Sequence, residues 1–225
     1  MAGKSTSRSG LDMRHIQLTP KQHDFFKIMS DPKTKIVFVS GPAGSSKSFL
    51  SVFTALSLWS NGDCSDILYL RTVVESAERS LGYLKGGEDE KFSPYLAPLE
   101  EKVDEMLNTP DKQRLKRNNA LIGSPVNFIR GQDWKQRVVV ADEMQNATMK
   151  ELITVLTRMN KGTKLFICGD AFQSDIKNTG FSQLCKLFDS EIAKKNGVYH
   201  LAFDKKDIQR DEVISFVLDQ IEQII

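Results

Sequence analysis

Three short stretches carry side chains whose types and spacing suit chemistry on a phosphate chain. They are Gly41-Pro42-Ala43-Gly44-Ser45-Ser46-Lys47-Ser48, the pair Asp142-Glu143, and Gly169-Asp170-Ala171-Phe172-Gln173. In the first, small residues let successive backbone N–H groups curl around a phosphate, a helix start adds partial positive charge, and Lys47 adds a full one. Ser48 is placed to offer its hydroxyl to a magnesium ion shared with a nucleotide. One position departs from the spacing G-x-x-x-x-G-K-[ST]: Ser46 stands where the second glycine belongs. Its Cβ lies close to where a β-phosphate would sit, which predicts weaker binding or a slightly re-aimed loop. The plain alternative is a serine-rich turn that caps a helix.

Asp142-Glu143 follows the apolar run RVVVA. A carboxylate at a strand end can hold magnesium, commonly through water, while the adjacent Glu143 orients and polarises a water for attack on a γ-phosphate. An isolated Asp-Glu pair is usually surface, so the preceding strand and the upstream loop carry this reading. Gln173, just beyond another apolar run, can hydrogen-bond the γ-phosphate or its attacking water. A Gly-Asp turn with an exposed glutamine is the bland version. Gln22 sits on a helix shortly before the loop, where its amide can pair with an adenine edge or simply face solvent. Arg210 and Arg158 are candidate cations for the transferring phosphate, in the same subunit or across a boundary, or else members of ion pairs.

These groups need a scaffold that brings distant loops together. The β-branched and aromatic run 36–39, the runs 66–71, 137–141 and 163–168, and an edge strand at 197–203 read as strands of a mainly parallel sheet. Val126 to Arg130 is a further short strand candidate. Helical spacing marks 21–29, capped by Thr19-Pro20, then 49–59 ending at Asn61-Gly62, 99–107, 148–159, 181–193 and 211–225. Arg71 ends its strand at the crevice of an open sheet, where it can face phosphate or a bound strand, or simply cap the sheet edge. Residues 82–98 are too rich in Gly and Pro for a helix, and 72–119 reads as an insertion over the sheet's C-terminal edge. Its cluster Lys112, Arg114, Lys116 and Arg117 fits either a nucleic-acid backbone or a solvated face. Residues 1–15 read as a disordered basic arm, and 16–225 as one α/β domain.

Bulk composition adds limits. Over 225 residues, 31 Lys plus Arg nearly balance 29 Asp plus Glu, so the net charge of +2 gives no global polyanion signal. Cys64, Cys168 and Cys185 lack paired metal spacing and read as reduced thiols of a cytoplasmic protein. His15, His23 and His200 are too scattered for a metal triad. No stretch is long and apolar enough to span a bilayer, and no signal peptide is read at the start, so no membrane role is expected.

The order and distances of GPAGSSKS, Arg71, GYLKGGEDEKFSPYLAPL, Arg130-Gly131, VVVADEMQNAT, LTRMNKGTKLFICGDAFQSD and DKKDIQR resemble the PhoH-like family of phosphate-starvation-associated ATPases, relatives of superfamily 1 helicases. The resemblance runs from Gln22 to Val217. It implies a P-loop NTPase with a RecA-like core that binds and hydrolyses ATP with Mg2+. It also implies a homo-oligomer, expected as a hexameric ring, with RNA or single-stranded DNA as partner. It assigns Gln22 to adenine, Lys47 and Ser48 to phosphate and magnesium, Asp142 and Glu143 to metal and catalysis, Gln173 to γ-phosphate sensing, and Arg210 to the phosphate charge. Departures are Ser46 for glycine, Met144 for alanine, Lys85 for proline and Asp211 for histidine. Some relatives carry a fused PIN nuclease domain; none is read here, so ribonuclease activity is not expected. The short single-domain form resembles those carried by bacteriophages.

Two other classes compete with an ATPase. A nucleotide-binding regulatory or scaffolding oligomer with negligible turnover is favoured by Ser46 and opposed by the intact Asp142-Glu143 and Gln173. A GTPase or small-molecule kinase is the other; Asn160-Lys161-Gly162-Thr163 suggests a guanine-reading loop, but threonine stands where an aspartate would read guanine.

Overall fold

A computed structural model of the chain describes residues 10–14, 16–72, 88–170 and 180–208. Its centre is a six-stranded, wholly parallel sheet in the order β3-β2-β4-β5-β1-β6. The strands are β1 (Ile36–Ser40), β2 (Ile67–Arg71), β3 (Leu121–Pro125), β4 (Val138–Asp142), β5 (Lys164–Gly169) and β6 (Val198–Ala202). Continuous apolar runs suit strands covered on both faces, and β4 is buried along its whole length. Strand pleating sorts the side chains. Val37, Val39, Ile67, Tyr69, Val138 and Val140 join one core layer, while Phe38, Leu68, Leu70, Val139 and Ala141 join the other.

Over the first layer lie α1 (Pro20–Ser30), α2 (Lys47–Asn61), α3 (Glu88–Met106) and α4 (Thr109–Arg117). The second is covered by α5 (Met149–Leu156) and α6 (Gly180–Phe188), with α7 (Glu191–Lys195) leading into β6. Helix α1 starts at the N-cap expected at Thr19, which the structure shows as a capping box with Gln22, and α2 stops at Gly62 in the left-handed conformation. Because β5 lies between β1 and β4, the loop after β1, the acid pair after β4 and the end of β5 emerge side by side at the sheet's C-terminal edge.

The structure revises four expectations. The strand expected at 126–130 is a 3₁₀ turn, Val126–Phe128, and the strand at that edge of the sheet is β3 just before it. Leu121 and Ile122 give β3 only a weak apolar signature, because Gly123, Ser124 and Pro125 fill the rest. Gly123 is there for packing: a Cβ would stand 2.5 Å from Leu96 Cγ of α3. Secondly, α3 begins at Glu88 and runs through Pro94 and Pro98, where Gly and Pro had argued against a helix. Burial of Leu99, Val103 and Met106 against the sheet offsets the two hydrogen bonds that prolines cannot donate. Helices α3 and α4 thus form the crossover from β2 to β3. Thirdly, the helix expected over 181–193 is broken at Ser190, whose side chain caps α7 by accepting from the Ala193 N–H. Fourthly, residues 10–14 are docked, in contrast to a disordered arm. Leu11 N–H donates to Ser60 Oγ at 2.7 Å, Arg14 N–H donates to the Met106 carbonyl at 2.8 Å, and Leu11 and Met13 pack on the core. An alternating apolar pair is enough to anchor so short a piece.

The helix expected at 211–225, together with Gln173 and Arg210, lies outside the described residues. Among the described residues, no helix is long and apolar enough to cross a membrane.

Candidate active site

The loop between β1 and α2 is held open by backbone conformations that side chains disfavour. Gly41 adopts φ 152° and Gly44 φ 81°. A Cβ on Gly41 would meet Phe203 Cβ at 2.7 Å, so the loop's first residue is wedged against the end of β6. Phe203 in turn packs on Phe25 of α1, with ring centroids 4.8 Å apart. Ser46, with φ 65° and ψ 20°, takes the left-handed conformation at the helix start and makes no side-chain cap. The glycine normally expected there would adopt it freely; serine holds it against a steric cost.

Within the loop, the Pro42 carbonyl accepts from Ser45 Oγ and from the Lys47 ammonium, each at 2.8 Å. Burial lowers the Lys47 pKa below the ordinary lysine range, while the carboxylates of Asp170, Asp142 and Glu143 pull it upward. A polyphosphate would favour the charged form further.

Opposite the loop stands Asp142, only 5% exposed at the end of β4. Its Oδ1 accepts from the Ser48 hydroxyl at 2.5 Å and from the Glu143 N–H at 3.1 Å; its Oδ2 accepts from the Tyr69 hydroxyl at 2.5 Å. Burial and the Asp142 charge raise the Tyr69 pKa, which keeps this phenol a donor. Glu143 leaves the strand in the left-handed conformation, φ 58° and ψ 33°, which turns its side chain away from the strand direction. Its Oε2 accepts from the Gln145 amide at 2.6 Å, and its carbonyl accepts from Thr72 Oγ1 at 3.0 Å. The other end of the Gln145 amide accepts from the Asp170 N–H at 3.1 Å, which ties the end of β4 to the end of β5.

These groups line one cavity of about 260 Å³ that includes Ser46, Lys47, Ser48, Asp142, Glu143 and Asp170. Arg71 and Lys102 also line it, so three cations and three carboxylates share its wall. Such a wall suits a polyanion bound together with a divalent cation. Magnesium takes hard oxygen donors, and the Ser48 hydroxyl beside the Asp142 carboxylate is a donor set that fits it.

The predicted residues fare unequally. Lys47, Ser48, Asp142 and Glu143 come together. Gly169 and Asp170 reach the same cavity, which puts the end of β5 there, while Gln173 lies beyond the described residues. Gln22 is buried at the third position of α1, and its side-chain oxygen accepts from the Thr19 N–H at 3.0 Å. Arg158 does not line the cavity; it donates to the Gln132 carbonyl at 3.4 Å. In the basic cluster, Lys112 pairs with Asp104 at 2.8 Å, Lys116 with Glu100 at 3.8 Å and Arg114 with Asp111 at 3.9 Å, so much of its charge is offset locally. The sequence reading gave no role to Tyr69, Gln145 or Lys102. Gln145 had a signal in its place two residues after Glu143; Tyr69 and Lys102 had none.

The profile of the family described as PhoH-like protein matches residues 16–222. The chain belongs to the PhoH-like family. It is 31% identical over 192 residues to the PhoH-like protein of Bacillus subtilis, covering 85% of this chain and 59% of that one. With the PhoH-like protein of Synechocystis it shares 28% over 205 residues, 91% of this chain and 61% of that one. With Protein PhoH of Escherichia coli it shares 29% over 164 residues, 70% and 46% of the two chains. The PhoH-like chain described here therefore spans about three-fifths of the length of the first two relatives. Among solved structures, it is similar to Pif1 helicase from Candida albicans, with 19% identity, a TM-score of 0.42 and coverage of 84% of this chain and 40% of that one. It is similar also to Bacteroides sp Pif1 in complex with ADP-AlF4, with 17% identity, a TM-score of 0.42 and coverage of 92% and 46%. The six-stranded parallel sheet flanked by helices makes this PhoH-like chain an α/β P-loop NTPase of RecA-like architecture.

Proposed function

We propose that the chain is a magnesium-dependent ATPase whose turnover is coupled to RNA or single-stranded DNA. The observation that carries this reading is the placement of Lys47, Ser48, Asp142 and Glu143 around one cavity at the ends of β1 and β4. The backbone of 41–48 and the Lys47 ammonium hold the triphosphate, while Ser48 and Asp142 hold Mg2+. Bound there, the ion would offset the negative charge on the transferring phosphoryl oxygens. Glu143, steadied by Gln145, orients and polarises the attacking water. Gln173 senses the γ-phosphate, Arg210 meets its charge in the same subunit or a neighbour's, and Gln22 reads adenine with the amide nitrogen that the Thr19 N–H leaves unused.

Strand separation would need a second RecA-like lobe, supplied by a neighbouring subunit of a homo-oligomer, read as a hexameric ring. Ser46 in the left-handed region favours a second reading, a regulatory or scaffolding oligomer that binds nucleotide with negligible turnover. Phosphate release across a panel of RNA and DNA ligands, with subunit mass determined alongside, separates the two. The ATPase reading expects release that at least one nucleic acid raises, and a fall of roughly a hundredfold in Glu143→Gln with ATP still bound. A rate that Glu143→Gln leaves unchanged defeats it, and preferential competition by GTP would reverse the base assignment.

A further inference from the structure

We propose that Tyr69 is a positioning residue for the divalent cation, acting through Asp142; this rests on the reading of Ser48 and Asp142 as the residues that hold Mg2+. Tyr69 is wholly buried on β2, in the strand next to β4. The register pairs Tyr69 with Val140 and Arg71 with Asp142, so Tyr69 stands two register positions below the carboxylate, on the same face of the sheet. Its hydroxyl reaches Asp142 Oδ2 at 2.5 Å.

Packing alone does not call for a phenol here. Ile67, Leu68 and Leu70, the flanking positions of β2, are equally buried and purely aliphatic, as suits a parallel strand. What the phenol adds is a donor that is neutral. An ammonium or guanidinium at this point would cancel the charge of Asp142, whereas a phenol fixes the carboxylate plane and leaves its negative charge for a cation. With Oδ2 tied on the buried side, Oδ1 is the oxygen turned to Ser48 and the loop. Ser48, Asp142 and Tyr69, drawn from α2, β4 and β2, then form a chain in which the innermost member sets the angle of the one that meets the ion. Removing such an outer partner typically weakens metal binding by roughly ten- to a hundredfold.

The test is the affinity of the full chain for a fluorescent ATP analogue, measured in EDTA and across a Mg2+ titration. Tyr69→Phe removes one hydroxyl and keeps the ring. The expected result is nucleotide affinity in EDTA within about twofold of wild type and a Mg2+ midpoint raised roughly tenfold. In an Asp142→Asn background, Tyr69→Phe should shift nothing further. Tyr69→Leu, which matches the strand's other residues, serves as the second variant and should behave as Tyr69→Phe does. A wild-type Mg2+ midpoint in both variants overturns the proposal, as does an equal loss of affinity with and without Mg2+. Failure of both variants to fold also overturns it, since the phenol would then be structural. If wild type shows no tightening by Mg2+, or Asp142→Asn keeps that tightening, the cation reading itself falls, and the two failures are told apart.

Discussion

The Gln145 side-chain amide donates to Glu143 Oε2 at 2.6 Å, and its oxygen accepts from the Asp170 N–H at 3.1 Å. One buried amide thus fixes the candidate water-orienting carboxylate against the end of the neighbouring strand. Gln145→Leu keeps the volume and removes both bonds. We expect phosphate release to fall by roughly ten- to a hundredfold while ATP affinity stays within about threefold, because the phosphate loop is untouched. The same variant should lose about 1–3 kcal/mol of stability, since it removes the acceptor that the Asp170 N–H uses. Chemical denaturation beside single-turnover hydrolysis checks both parts.

Ser46 gives the opposite sign. Its φ of 65° lies in the left-handed region that suits glycine. Ser46→Gly is expected to stabilise the protein by about 1 kcal/mol, net of the added freedom of the unfolded chain. For a domain of this size that raises the thermal midpoint by roughly 2–4 °C. The variant also removes a Cβ from the cavity wall, so ATP affinity should rise or hold. A loss of affinity would instead assign the Ser46 hydroxyl to a phosphate.

Lys47 trades stability for binding. Burial lowers its pKa, so the folded protein holds this proton less tightly than the unfolded chain does. The site therefore costs stability at neutral pH, and the cost fades as the pH rises toward the ordinary lysine value of 10.5. Lys47→Met should abolish the thermal shift produced by Mg-ATP. Without nucleotide it should melt no lower than wild type at pH 7, and its advantage should narrow as the pH is raised. Scanning fluorimetry across pH, with and without Mg-ATP, reads all three effects.

The sequence made the phosphate loop, the acid pair and the central strands legible because each is local. A small-residue loop, a Lys-Ser and a strand-then-acid pattern need no distant partner to be recognised. Edge strand β3 stayed hidden because Gly123 and Pro125 serve the packing of α3 and the exit from the sheet, and neither is a strand former. Helix α3 stayed hidden because tertiary burial of Leu99 and Met106 outweighs two prolines. Tyr69 and Lys102 became meaningful only through strand register and helix placement, which no spacing within one segment encodes.

Lys102 supplies the last prediction, since it reaches the cavity from α3 and lies outside every phosphate-binding motif. Together with Arg71 it adds positive charge to the cavity wall. A partly buried lysine of this kind is worth about 1 kcal/mol, so Lys102→Ala should weaken ATP affinity roughly fivefold. The loss should shrink at high salt, because the interaction is a screened charge. Lys112→Ala is the matched control: it removes the same charge from α4, where Asp104 already pairs with it away from the cavity. If the two variants bind ATP equally well across a salt series, α3 has no part in holding nucleotide. If only Lys102→Ala is weakened, α3 contributes charge to the triphosphate site from the crossover between β2 and β3.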